Sequence, residues 1–128
     1  MNGSILDTNV IIRIIKGDAA VANAVRKIKN IHVPVIVLGE LIFGAEKSHL
    51  KQSNKENYVN FCLSYPLFDV DKNVAEEYGK LNCTLQKTGD ILPENDMWIA
   101  ATAIAKDMRV VTQDKHFEQI KELSVLKI

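Results

Sequence analysis

The stretch Ser4–Ile12, SILDTNVII, changes character at its middle. Ser4–Leu6 is a short apolar segment of strand type, and Asp7-Thr8 leads straight into VIIRII, which has helical composition. Asp7 or Thr8 is the expected N-cap, because a short side-chain oxygen there accepts from the free N–H groups of the first turn. Gly17 stands just past the end of this helix, where a left-handed residue commonly closes one. Strand, turn and helix in this order open a parallel α/β unit, and Asp7 then lies at the carboxyl end of the first strand.

The pattern repeats outward from there. Val21, Ala24, Val25 and Ile28 place a helix on residues 19–29. Residues 32–35 read as a second strand, short because of Pro34, and residues 38–47 as a helix. A further helix is expected on residues 54–64, ended by Tyr65-Pro66, and a third strand on 67–70. Asp71 caps a long helix with Val74, Tyr78, Leu81 and Leu85 in one stripe, and Gly89 breaks it. Residues 93–95 start a helix capped by Asn95 and running through WIAATAIA, apolar nearly all round as a buried helix would be. Residues 109–112 read as a strand, 114–120 as a short helix and 124–128 as a last strand. Strands alternating with helices imply a parallel sheet covered on both faces, with ligands bound beyond the carboxyl ends of the strands.

Four acids interrupt apolar segments in this framework: Asp7, Glu40, Asp96 and Asp114. A carboxylate near a core is costly unless it is paired. Three have a structural reading: Asp7 and Asp114 as caps, and Asp96 in a first helical turn, where the helix dipole favours an acid. That reading suits Asp114 best and Glu40 worst. Glu40 lies inside VIVLGELIF, and its nearest downstream base, Lys47, is too far along for an i, i+4 pair. Gathered in one pocket, the four would repel: two unit charges 4 Å apart cost about 4 kcal/mol at an effective dielectric of 20. Two Mg²⁺ or Mn²⁺ ions with oxygen shells would offset that charge. Thr8 and Thr112, each within two residues of an acid, are candidates to orient a carboxylate or a water on the ion.

The chain has 128 residues, which fits one domain spanning 1–128 with a real core. It is 47% hydrophobic and 25% charged, with 16 basic and 16 acidic residues, so no global field draws in nucleic acid. Phosphate contacts would have to be local, and Arg13, Lys16, Lys47 and Lys51 are the candidates. Cys62 and Cys83 lack metal-ligand spacing and read as free thiols. His32, His49 and His116 show no ligand spacing and read as structural or exposed. No secretory signal or membrane span is visible, so a cytoplasmic protein is expected.

The motifs ILDTNVII, GELIFGAEKS, ILPENDMWIAATAIA and VVTQDKHF span nearly the whole chain, and with them the sequence resembles a PIN-domain ribonuclease of the VapC toxin type. The resemblance implies a PIN-like three-layer α/β/α fold with a short central parallel sheet. It also implies metal-dependent hydrolysis of RNA phosphodiesters as the toxin of a toxin–antitoxin pair. Asp7, Glu40, Asp96 and Asp114 match the family's acidic positions for Mg²⁺ or Mn²⁺, with Thr8 and Thr112 as their polar neighbours. A cognate antitoxin and a homodimer are implied as partners, and the apolar VIIRII helix would suit either a partner groove or burial on both sides. Asp90 and Glu94 are expected in a cap or a solvated loop. Two other readings are a catalytically silent PIN-like binding module and a phosphoacceptor receiver domain, which Asp7 standing alone fits poorly.

Overall fold

The computed structural model describes residues 2–128. Five short parallel strands form its centre: β1 (Gly3–Leu6), β2 (Ile31–Pro34), β3 (Leu67–Phe68), β4 (Met108–Thr112) and β5 (Val125–Lys127), ordered β3-β2-β1-β4-β5. Six helices cover them: α1 (Thr8–Ile15), α2 (Ala19–Arg26), α3 (Val35–Glu46), α4 (Lys51–Leu63), α5 (Lys72–Thr88) and α6 (Glu94–Lys106). A 3₁₀ turn at Lys115–Gln119 links β4 to β5. The chain starts mid-sheet, builds outward through β2 and β3, then crosses back over α5 and α6 to β4. Because parallel crossovers are right-handed, the two directions of travel place their helices on opposite faces. This is the expected three-layer α/β/α fold. A receiver domain would instead show the strand order 2-1-3-4-5, so that reading is excluded.

Both faces of the two central strands are buried, as a parallel sheet requires: Ile5, Leu6, Val110 and Val111 are all fully inaccessible. Val10 and Ile11 of α1, Val37 and Leu41 of α3 and Ile99 of α6 close over them. Gly89, in the left-handed region at φ 79°, caps α5 and turns the chain toward α6.

Several boundaries differ from the sequence expectations. Pro34 ends β2 and itself caps α3, so Val35 is helical and not part of the strand. Val37, Leu41 and Ala45 form the buried line of that helix. A helix start tolerates proline because its missing N–H would go unpaired there anyway. Helix α6 likewise starts one residue after Pro93, and Asn95 is exposed within the first turn instead of capping it. α4 begins at Lys51, and β3 is only two residues long. Residues 115–119 make 3₁₀ and not α-helix, with Asp114 as their cap.

Candidate active site

The strand order reverses between β1 and β4, and their carboxyl ends open a crevice at that switch point. Asp7 follows β1 directly, and its N–H donates to Val111 O at 2.9 Å, which ties the turn to β4. Asp114 stands two residues beyond β4. A helix that precedes a parallel strand runs against it, so the N-terminal turn of α6 and its Asp96 reach the same edge. Glu40 arrives from the middle of α3, beyond β2. Four separate elements therefore bring the four acids together.

Short hydrogen bonds hold the group. Asp7 is 4% exposed; its Oδ1 accepts from the Thr8 N–H at 2.8 Å and its Oδ2 from the Thr112 hydroxyl at 2.7 Å. The same Thr112 oxygen accepts the Asp114 N–H at 2.9 Å. The Thr8 hydroxyl donates to Glu40 Oε1 at 2.8 Å. The two threonines thus bridge the acids in pairs, Thr8 joining Asp7 to Glu40 and Thr112 joining Asp7 to Asp114. Asn9 Oδ1 accepts the Gln113 N–H at 3.3 Å and fastens the α1 turn to the β4 exit. The sequence reading missed Asn9.

Among the described residues neither Asp7 nor Glu40 has an ion pair with a basic side chain. Burial pushes the Asp7 carboxyl up to about 6; the two hydrogen bonds oppose this, and the charges of Asp96 and Glu40 add to it. Asp96 is also raised, by burial first and then by Asp114 and Glu40, with His116 acting against them. His116 is exposed, one of the two readings its sequence allowed, and its Nδ1 also lies 3.1 Å from Asp114 Oδ2 and 3.6 Å from Asp96 Oδ2. The spacing Asp114-x-His116 was the available signal, since a capping aspartate accepts the N–H two residues on and so stands beside that residue.

Of the basic candidates, Arg13 reaches the crevice: its Nε donates to Gln113 Oε1 at 3.1 Å and lies 3.7 Å from Asp18. Lys47 Nζ sits 4.4 Å from the centroid of Phe43, and Phe43 lines a cleft of about 640 Å³ with Thr8, Ile36 and Glu40. Lys16 and Lys51 are exposed, and among the described residues no ion pair or hydrogen bond carries them to the acids. Glu94 accepts from the Tyr78 hydroxyl on the far side of α6. Both cysteines are free thiols. No helix among the described residues is long and apolar enough to cross a membrane.

The model of the PIN domain matches residues 4–123. This chain belongs to the PIN-domain family. Its relatives include ribonucleases of the VapC type. Ribonuclease VapC2 of Rickettsia felis is 33% identical over 123 residues, covering 92% of each chain. The tRNA(fMet)-specific endonuclease VapC of Shigella flexneri is 30% identical over 121 residues, covering 90% of this chain and 89% of its own. The solved structure of VapBC2 from Rickettsia felis, bound to a DNA fragment from their promoter, superposes with a TM-score of 0.91 at 30% identity over 98% of each chain. VapBC from Salmonella typhimurium, also bound to DNA, gives 0.90 at 28% identity over 99% of this PIN domain and 98% of its own chain.

Proposed function

We propose that this PIN-domain protein is an endoribonuclease that hydrolyses RNA phosphodiester bonds with Mg²⁺ or Mn²⁺ held by Asp7, Glu40, Asp96 and Asp114. One observation carries the reading: four carboxylates from four elements meet at the switch point, with Asp7 buried and raised to about 6. A fold gains nothing in stability from such a group. The donor set fits a hard cation, because carboxylate oxygens predominate and their like charges need an external counter-charge.

A bound divalent ion supplies what these side chains lack: it makes water a better nucleophile toward phosphorus and offsets charge on the departing oxygen. The chain's own residues prepare that chemistry. Thr8 and Thr112 hold the Asp7 carboxylate by both oxygens, so its orientation is set before anything binds. Thr112 also fixes the Asp114 turn, and Thr8 fixes Glu40. Water adds to phosphorus, one P–O bond to ribose breaks, and a phosphate monoester and a hydroxyl result. Arg13, Lys16, Lys47 and Lys51 are assigned to RNA phosphates, Arg13 with the most direct support because of its link to Gln113.

The relatives' names extend the proposal to biology. VapBC structures pair a protein of this fold with a second one, and we assign this chain the toxin role beside a cognate antitoxin, as a cytoplasmic homodimer. The competing reading is a silent PIN-like module that binds a partner without chemistry. Purified protein incubated with RNA and Mn²⁺ decides between them. Cleavage lost in Asp7→Asn supports the nuclease; equal cleavage by both proteins, or none by wild type together with no Mn²⁺ bound, rejects it.

A further inference from the structure

We infer that His116 supplies an imidazole nitrogen to the ion held by Asp96 and Asp114, so that this half of the acidic cluster prefers Mn²⁺ to Mg²⁺. The inference rests on the metal-site reading above and deepens it. Donor atoms of Asp96, Asp114 and His116 all lie within 4.8 Å of one another. The His116–Asp114 separation is 3.1 Å and the His116–Asp96 separation 3.6 Å. In an octahedral shell with bonds near 2.1 Å, neighbouring donors stand about 3 Å apart and opposite ones just over 4 Å apart. The observed spacings therefore suit three donors around one ion with only small closing movements.

Local structure makes this arrangement deliberate. Asp114 caps the 3₁₀ turn, and its Oδ1 accepts the His116 N–H at 2.9 Å, which leaves Oδ2 facing the His116 ring. Asp96 comes from a different element, so the meeting depends on the tertiary fold and not on sequence proximity. The remaining ring nitrogen has no hydrogen bond among the described residues.

The two halves of the cluster differ in chemistry. Asp7 and Glu40, bridged by Thr8, offer oxygen alone. Asp96, Asp114 and His116 offer two oxygens and a nitrogen. Mg²⁺ takes oxygen almost exclusively, whereas first-row transition ions accept imidazole readily. One nitrogen in the set therefore shifts preference toward Mn²⁺.

Electron paramagnetic resonance tests this without reference to activity. Mn²⁺ is titrated into wild-type protein and His116→Ala, Mg²⁺ affinity is read by competition, and spin-echo modulation reports a nitrogen on the ion. Wild type should show nitrogen modulation, and His116→Ala should lose it. Its Mn²⁺ affinity should fall at least about tenfold, as expected when a ligand is removed, while Mg²⁺ affinity changes little. Circular dichroism verifies that the variant is folded, which the exposure of His116 favours. Unchanged Mn²⁺ affinity and no nitrogen modulation in wild type would overturn the inference and leave the nuclease reading intact; so would equal losses for both ions. Absence of any divalent-ion binding to wild type would instead remove the metal-site reading itself.

Discussion

Asp7 and Asp71 begin helices in the same way and live in opposite environments. Each accepts a backbone N–H of the turn it opens, from Thr8 at 2.8 Å and from Val74 at 3.0 Å. Asp71 is exposed and pairs with Lys106; that contact and the cap bond to Val74 hold its carboxyl below the usual range. Asp7 is 4% exposed, has no basic partner among the described residues, and is pushed up to about 6 by burial. Capping accounts fully for Asp71. At Asp7 it accounts for one oxygen and leaves a buried charge without compensation. Two identical residues with one local job thus separate into an acid that capping explains and one that the proposed metal site would explain, and what separates them is desolvation and the neighbour each was given.

The largest effect should come from neutralising the two caps in turn. Asp7→Asn keeps the shape and the cap but removes the charge that holds a cation. Loss of several kcal/mol of charge stabilisation corresponds to about a thousandfold in RNA cleavage rate with Mn²⁺. Asp71→Asn should cleave at the wild-type rate. Comparable losses in both variants, measured on one labelled RNA, would break the contrast.

Removing a support of Asp7 should cost less. Thr112→Val preserves volume and β-branching but deletes the donor to Asp7 Oδ2 and the acceptor of the Asp114 N–H. Such orienting partners are typically worth about 10–100-fold in metal affinity or activity. Titration calorimetry with Mn²⁺ measures the first and cleavage kinetics the second. An unchanged Thr112→Val protein would mean that the threonine only fills the core.

How much of this was legible in the sequence follows from the same contrast. The period changes at Asp7, Asp71 and Gly89 mark element ends because capping is local chemistry, and SILDTNVII alone suggested a strand running into a helix. The convergence of Asp7 with Glu40 is a tertiary fact; the residues hinted at it only through the cost of a Glu inside VIVLGELIF. His116 is exposed, as its sequence reading allowed; its approach to Asp96 is a tertiary fact, because Asp96 sits on another element. The Pro34 boundary failed because VIV suits either a strand or a buried helix. Pro34 both ends a short strand and starts the helix.

Stability without metal should show the next effect. A carboxyl raised in the folded state from 3.8 to about 6 makes the fold bind more protons than the unfolded chain between those values. Stability then falls as pH rises through that window, and the full cost stands above it. The shift corresponds to about 3 kcal/mol at most. Metal-free Asp7→Asn should therefore unfold at higher denaturant than wild type at pH 7.5, by about 1–3 kcal/mol, and lose the advantage below about pH 4. Adding Mn²⁺ should stabilise wild type more than the variant, which keeps only the Asp96, Asp114 and His116 donors on one side of the cluster. An advantage that persisted at low pH would point to packing instead of charge.

The smallest effect belongs to the other cap. Lys106→Met removes the cation from Asp71 while keeping most of the apolar stem that lies near Phe68. Because the Asp71 carboxyl is lowered in the fold, its contribution is present above the unfolded value and disappears as pH falls through the folded one. The melting temperature of Lys106→Met should drop by at most a few degrees at pH 7, as for other exposed pairs, and the difference should shrink with added salt. It should vanish at strongly acid pH, where the carboxyl is protonated in both proteins. Against Asp7→Asn the sign is reversed: breaking the charge at one cap weakens the fold, and removing it at the other strengthens it. If both variants moved the same way at pH 7.5, burial would not be what distinguishes the two aspartates, and the case for a ligand at Asp7 would lose its physical basis.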